Sequence, residues 1–334
     1  MAVLGAGSWG TALAQHLARR GNRVHLLFRN PDAAQQSAAE RENKPYLPGV
    51  QLDRGLIPTA DPDEALRGAQ LVLVVTPVKG LGLAATWLED RARPEIPVVS
   101  CAKGLTPASL ETPLMILARS LPDRRHHLAV LSGPSFAREL AREHPTAAVV
   151  AAHDPGLARQ VQSLMTGGAF RLYTNDDPRG VELAGALKNV IALAAGMVDG
   201  LGYGSNTAAA LMTRGLTEIT RLGVALGGAP STFAGLAGMG DLVLTCTGRA
   251  SRNRQVGRDL AQGHSLREIL SRTPMVAEGV PTTRAAARLG GRMGVELPIA
   301  EQMEAILFQG RSPRRALEVL LARDPREEDR FEVP

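Results

Sequence analysis

Short apolar runs alternate with helical patterns through the first half of the chain. Residues 2–5 (AVLG) read as the end of a strand, and residues 11–20 as a helix rich in Ala and Leu. Further strands are predicted at 24–28 (VHLLF), 71–76 (LVLVVT), 97–101 (PVVSC), 127–131 (HLAVL), 147–152 (AAVVAA) and 170–173 (FRLY). Most of these runs are apolar throughout instead of alternating, which predicts a mostly parallel sheet covered on both faces. The expected architecture is a doubly wound α/β domain.

Past about residue 180 the pattern changes. Residues 181–198 (VELAGALKNVIALAAGMV) read as a long buried helix, and 206–226 as a second with Arg and Glu on its wet face. Helices are also predicted at 251–262, 265–271, 282–290, 300–308 and 313–322. No strand-like alternation returns, so the second half is expected to be all-helical. This gives domains at residues 1–178 and 179–323, with a charged, Pro-bounded tail at 324–334.

Composition narrows the class. Hydrophobic residues make up 44% and charged residues 21% of 334 residues, the mix of a folded chain long enough for two cores. The net charge of +5 is spread along the sequence, and only 3% of residues are aromatic. A basic stripe with stacking aromatics is missing, so nucleic acid is not an expected partner. Cys101 and Cys246 lie in different segments, which argues against a disulfide framework or a zinc site. No apolar run is read as membrane-spanning, and no leader-like segment opens the chain, so a cytoplasmic location without stable membrane insertion is expected.

Gly5-Ala6-Gly7-Ser8-Trp9-Gly10 follows the first strand and opens a helix. In a G-x-G-x-x-G turn the first glycine allows the tight turn, the second admits a pyrophosphate, and the third lets helix pack on strand. The free N–H groups of the helix start then face the negative charge. Dinucleotide binding is the reading favoured over an ordinary glycine turn. The second strand ends Phe28-Arg29-Asn30, without the carboxylate that commonly binds a ribose 2′-hydroxyl. Arg29 suits a 2′-phosphate or is a plain surface side chain, so NADPH and NADH both stay open.

Other segments carry polar groups that a scaffold does not need. Lys103, in CAKG, and Gly133 to Ser135, in SGPSFA, each follow a predicted strand at the edge where open α/β sheets bind ligands. Lys188 falls within a helix whose neighbours are nearly all apolar. It either snorkels to water or sits in a partly dry cleft, where a lowered pKa makes it a general base. Asn189 beside it can bond a substrate oxygen. Asp241, on a glycine-rich turn, can orient Lys188. Ser251-Arg252-Asn253 at a helix start offers hydroxyl, guanidinium and amide to a phosphate, or is an N-cap followed by a surface arginine.

Taken together, these segments resemble the bacterial NAD(P)-dependent glycerol-3-phosphate dehydrogenase family. The likeness runs in order through GAGSWGTALA, ENKPYLPGV, AKGL, LSGPSFA, YTNDDPRGVELAGALKNVIALAAGMVDGLGYGSNT, LMTRGLTEITRLG, GLAGMGDLVLTCTGRASRNRQVG and MVAEGVPTT. It implies a Rossmann-like domain followed by a helical one. It also implies Lys188 as proton acceptor and Lys103 near both cofactor and substrate. Gly133, Ser135, Asp241, Ser251, Arg252 and Asn253 match substrate positions, with Thr245 and Asn189 beside them. Ser8, Trp9, Arg29, Ala137, Arg252, Val276 and Glu278 match cofactor positions, adding to Gly5, Gly7, Gly10 and Lys103. The implied reaction interconverts glycerol 3-phosphate and dihydroxyacetone phosphate without a metal, supplies phospholipid synthesis, and is carried out by a homodimer joined through the helical domain.

Two rival readings are a two-domain dehydrogenase of a hydroxy acid or ketopantoate-like substrate, and a non-catalytic dinucleotide sensor. The first does not need a phosphate cradle at 251–253. The second has no reason to bury Lys188.

Overall fold

The computed structural model describes residues 1–272 and 277–325. The chain forms two compact units. The first combines Met1–Ala102 with Pro113–Pro178, and the second combines Lys103–Thr112 with the chain from Arg179 onward.

The first unit is built on eight strands: β1 (Ala2–Leu4), β2 (Val24–Leu27), β3 (Leu56–Thr59), β4 (Val72–Val74), β5 (Val98–Ser100), β6 (Leu128–Ser132), β7 (Thr146–Ala151) and β8 (Phe170–Asn175). They lie in the order β3-β2-β1-β4-β5-β6-β7-β8. All neighbours run parallel except β6 and β7. Successive residues bury on opposite faces: Val3, Leu73 and Val99 join one core, while Ala2, Leu4, Val72, Val74 and Val98 join another. The unbroken apolar runs therefore mean what they predicted, a sheet covered on both sides. β3 escaped the sequence reading because Pro58 interrupts it. Its edge position explains the proline, since a missing N–H is tolerated where only β2 needs pairing.

Strand order reverses between β1 and β4, because the chain builds outward to β3 and then returns to the other side of β1. At such a switch point the loops beyond the carboxyl ends part and leave a crevice. The glycine turn follows β1 at this point.

The second unit is helical among the described residues. Its central element is the 23-residue helix Pro178–Gly200. Contrary to the sequence reading, this helix is long and apolar enough to cross a membrane, yet 94% of its apolar window is buried within the protein. It is a core helix, and its hydrophobicity is spent on neighbouring helices. The helix Arg252–Ala261 crosses it closely: a Cβ on Gly196 would lie 1.9 Å from the Arg254 carbonyl oxygen, and one on Gly257 would lie 1.9 Å from that of Leu193. Glycine at both positions lets the two backbones touch.

The region before Asp241 differs from expectation. Where a glycine-rich turn was expected, Pro230–Ala234 is a short helix and Leu236–Gly240 a π-helical turn, followed by the helix Asp241–Thr247. Gly238 packs so tightly that a Cβ would lie 2.0 Å from the Phe233 carbonyl oxygen. The low helix propensity of glycine hid this element, and close packing restores it.

Candidate active site

In the first unit, the three glycines of the turn serve different needs. Gly5 has φ +119°, and a Cβ there would approach the Val75 carbonyl oxygen to 2.7 Å. A Cβ on Gly10 would lie 1.9 Å from the Gly5 carbonyl oxygen, so the helix Ser8–Arg19 can pack against the turn only with glycine there. Gly7 is different: its backbone is extended and, among the described residues, a Cβ would meet no atom within 4 Å. Nothing among the described residues requires glycine at position 7, whereas close approach of a pyrophosphate does. No side chain caps this helix start, which leaves its first N–H groups available to an anion. The residues present fit a dinucleotide.

The turn is braced from a segment to which the sequence reading gave no role. Asn43, buried, donates to the Ala6 carbonyl at 2.9 Å and to Thr11 Oγ1 at 2.8 Å, while Thr11 Oγ1 donates to the Gly7 carbonyl at 2.9 Å. The only sign of this in the sequence is an amide within ENKPYLPGV. Ser8 Oγ donates to the Tyr46 carbonyl at 2.7 Å, tying the same segment to the helix start. Trp9 packs edge-on against Phe170 at 6.4 Å. Arg29 is exposed just past β2, and Asn30 spends its side-chain oxygen on the Asp32 N–H. After β6, Gly133 takes φ +133°, Ser135 Oγ donates to the Gly133 carbonyl at 2.9 Å, and Ala137 opens the helix Ala137–Ala141.

In the second unit, Lys188 does not reach water. It is 5% exposed, and its Nζ donates to Asp241 Oδ1 at 2.6 Å and to Thr245 Oγ1 at 2.5 Å. Lys103 Nζ donates to the other carboxylate oxygen, Asp241 Oδ2, at 2.7 Å. Asp241 is 1% exposed, so two ammonium groups share one fully buried carboxylate. Thr245 Oγ1 in turn donates to the Asp241 carbonyl at 2.6 Å, one turn back along its helix. The snorkelling alternative is thereby excluded.

Burial lowers the Lys188 pKa to about 8, against the attraction of Asp241 and with help from the Lys103 charge. Burial also works against the Asp241 carboxylate, but the two ammonium groups outweigh it and hold its pKa below the ordinary value. Lys188 is thus poised to gain or lose a proton near neutrality, and its third N–H direction is not taken by these two acceptors. The adjacent Cys246 is no nucleophile, because burial pushes its thiol up to about 12.

Asn189 and Asn253 belong to a chain of amides. Asn253 Nδ2 donates to Asn189 Oδ1 at 2.9 Å, Asn253 Oδ1 accepts from the Gly279 N–H at 3.0 Å, and Asn189 Nδ2 donates to the Gly185 carbonyl at 3.2 Å. Much of their capacity therefore joins three helices. Ser251 is the N-cap of the helix Arg252–Ala261, accepting from the Arg254 N–H, and Arg252 stands exposed at the first helical position. Glu278 is close enough for its charge to act on Arg252. Val276 lies outside the described residues.

A doubly wound sheet with an open glycine turn, accompanied by a buried lysine poised between charge states, defines a dinucleotide-dependent dehydrogenase. Comparison with known proteins narrows the class. Residues 1–158 match the N-terminal part of the NAD-dependent glycerol-3-phosphate dehydrogenase family, and residues 177–318 match its C-terminal part. The chain is 51% identical over 325 residues to a glycerol-3-phosphate dehydrogenase of Geobacter sp. (strain M21), covering 97% of each. A counterpart from Citrifermentans bemidjiense is also 51% identical, with the same coverage. Among solved structures, a glycerol-3-phosphate dehydrogenase from Coxiella burnetii is 38% identical with a TM-score of 0.90, covering 96% of this chain and 98% of that one. The chain belongs to the NAD-dependent glycerol-3-phosphate dehydrogenase family, NAD(P)-dependent oxidoreductases.

Proposed function

We propose that Lys188 carries the proton chemistry of glycerol 3-phosphate and dihydroxyacetone phosphate interconversion, with the first unit holding the dinucleotide. The observation that carries this reading is the sharing of buried Asp241 between Lys188 and Lys103. When bound, the nicotinamide supplies the hydride donor or acceptor. In the oxidative direction, neutral Lys188 Nζ takes the proton of the substrate hydroxyl. In the reductive direction, its ammonium form returns a proton to the developing alkoxide. Asp241 and Thr245 fix the position of Nζ, and Lys103 keeps a second positive charge beside it to stabilise negative charge on the substrate oxygen.

The substrate phosphate is assigned to the helix start at Ser251, Arg252 and Asn253. Exposed Arg252 supplies a guanidinium fork there, and the nearby N–H groups favour an anion. Gly133 and Ser135 at the end of β6 are assigned to the substrate, and Ala137, Arg29, Ser8, Trp9 and Glu278 to the cofactor. The phosphate cradle favours this substrate over a hydroxy acid or ketopantoate-like one. Burial of Lys188 favours an enzyme over a sensor. A cytoplasmic homodimer supplying glycerol 3-phosphate for phospholipid synthesis is the setting that family membership supports.

The test is loss of nicotinamide absorbance with purified protein and dihydroxyacetone phosphate, run in parallel with NADPH and NADH. Dihydroxyacetone without the phosphate serves as control. Oxidation is expected with the phosphorylated substrate alone, and the ratio of the two cofactor rates reports what Arg29 does. No oxidation by folded protein that binds NADPH would overturn the substrate assignment.

A further inference from the structure

The chain contains four lysines against thirty-four arginines. Either residue keeps a surface charged, and this chain meets that need almost entirely with arginine. A lysine presents a compact, rotatable ammonium where an arginine would present a planar guanidinium. Lys103 and Lys188 both direct an N–H at one buried carboxylate. Lys44 pairs with Glu40, four residues earlier, at 2.9 Å. Lys79 is the remaining one. It is exposed, and among the described residues it has no hydrogen bond or ion pair.

Its place in the fold is specific. Lys79 lies in the turn Val78–Gly80, a few residues past β4. β4 is the parallel neighbour of β1, with Val74 opposite Leu4, so both strands end at the switch point. The two loops touch: a Cβ on Gly5 would lie 2.7 Å from the Val75 carbonyl oxygen, and one on Gly10 would lie 3.4 Å from Val75 Cβ. Gly80 packs closely on Thr76, with 3.0 Å between a hypothetical Cβ and the threonine Cβ, which keeps the Lys79 turn folded near the strand end. The backbone N–H groups of the glycine turn approach an anion from the β1 side. An unpaired ammonium stands on the β4 side.

We propose that Lys79 is a cofactor-binding residue whose ammonium pairs with the anionic diphosphate of the bound dinucleotide. This assignment rests on the dinucleotide reading of the first unit. A point charge on a flexible stem can follow a phosphate oxygen that backbone groups have already positioned.

The test is direct binding of NADPH to the full-length protein, followed by calorimetry, for wild type and for Lys79→Ala, Lys79→Gln and Lys79→Arg. Loss of a charged hydrogen bond predicts a Kd about tenfold higher for the Ala and Gln variants and only partial recovery with Arg. The weakening of binding by added salt becomes shallower in the two neutral variants. Melting temperatures stay at the wild-type value, because the side chain is exposed and unpaired. An unchanged Kd in the Ala and Gln variants overturns the assignment. Full recovery with Arg overturns the requirement for an ammonium. Failure of the wild type itself to bind NADPH removes the parent reading, and this assignment with it.

Discussion

The glycine turn of the first unit and the lysine cluster of the second handle charge in opposite ways. The turn prepares for an anion with main-chain groups and empty space: three glycines, an uncapped helix start, and a brace of Asn43 and Thr11 that leaves Gly7 open. The cluster uses side chains, with buried Lys188 and partly exposed Lys103 sharing the one buried carboxylate of Asp241. Backbone dipoles bind without changing protonation state, which suits a cofactor that must bind and leave unchanged in charge at its phosphates. A buried amine pays for its position in pKa, which suits a group that must trade a proton.

The strongest test of the contrast removes the proposed proton carrier. Lys188→Met keeps the length and apolar bulk of the side chain but has no titrating group. Turnover should fall by about 10³-fold, within the range for a lost general acid–base. NADPH affinity, measured by calorimetry, should remain, because the nucleotide turn belongs to the other unit. Wild-type enzyme should also show the threshold set by burial. Glycerol 3-phosphate oxidation should rise as pH passes about 8, because the neutral amine is the base, and dihydroxyacetone phosphate reduction should fall over the same range. A Lys188→Met enzyme with near-normal turnover would end the assignment.

A smaller effect is expected at the turn. In Gly7→Ala the added methyl meets no atom of the described residues within 4 Å and the backbone is already extended, so folding and melting temperature should hold. NADPH Kd should nonetheless rise at least about tenfold, because the methyl occupies space that the pyrophosphate needs. Unchanged affinity would show that position 7 does not face the cofactor.

The smallest effect compares two buried carboxylates in the second unit. Asp241 has ammonium partners and a lowered pKa, whereas Glu218 has backbone N–H partners at Ile299 (2.7 Å) and Ala300 (3.3 Å). Burial raises the Glu218 pKa from 4.5 to about 8, more than those two N–H bonds lower it. The folded state then holds a proton that the unfolded state releases first. Stability from this group is present below about pH 4.5 and is lost as pH rises toward about 8. Glu218→Gln should remove that loss. Relative to wild type, its melting temperature should rise between pH 5 and about pH 8 and level off above that. Parallel melting curves across this range would show that Glu218 titrates normally.

Much of this was legible in the residues, and the gaps have physical causes. All the strands predicted from apolar runs are present, because a strand buried on both faces announces itself by composition. β3 was hidden by Pro58, which only an edge position tolerates. The π-helical turn Leu236–Gly240 was hidden by its glycines, which have poor helix propensity. At the site, Lys188 was conspicuous as an ammonium in an apolar helix. The role of Asn43 was not, because a bracing amide looks like any loop asparagine.

The sequence by itself determined the doubly wound order of elements, the change to helices near residue 180, and the residue types that stand in the glycine turn and in the apolar helix of Lys188. Those properties follow from periodicity and local chemistry, which neighbouring residues set. Tertiary structure alone decided that Lys103 and Lys188, 85 positions apart, meet on Asp241. It also decided that the segment Lys103–Thr112 joins the helical unit and not the sheet that precedes it. A charge partner across such distances depends on how the helix Asp241–Thr247 and the segment Lys103–Thr112 settle against the helix Pro178–Gly200, and no local pattern encodes that arrangement. The pKa of Lys188 is likewise tertiary, because the surrounding burial lowers it and the distant carboxylate holds it near neutrality.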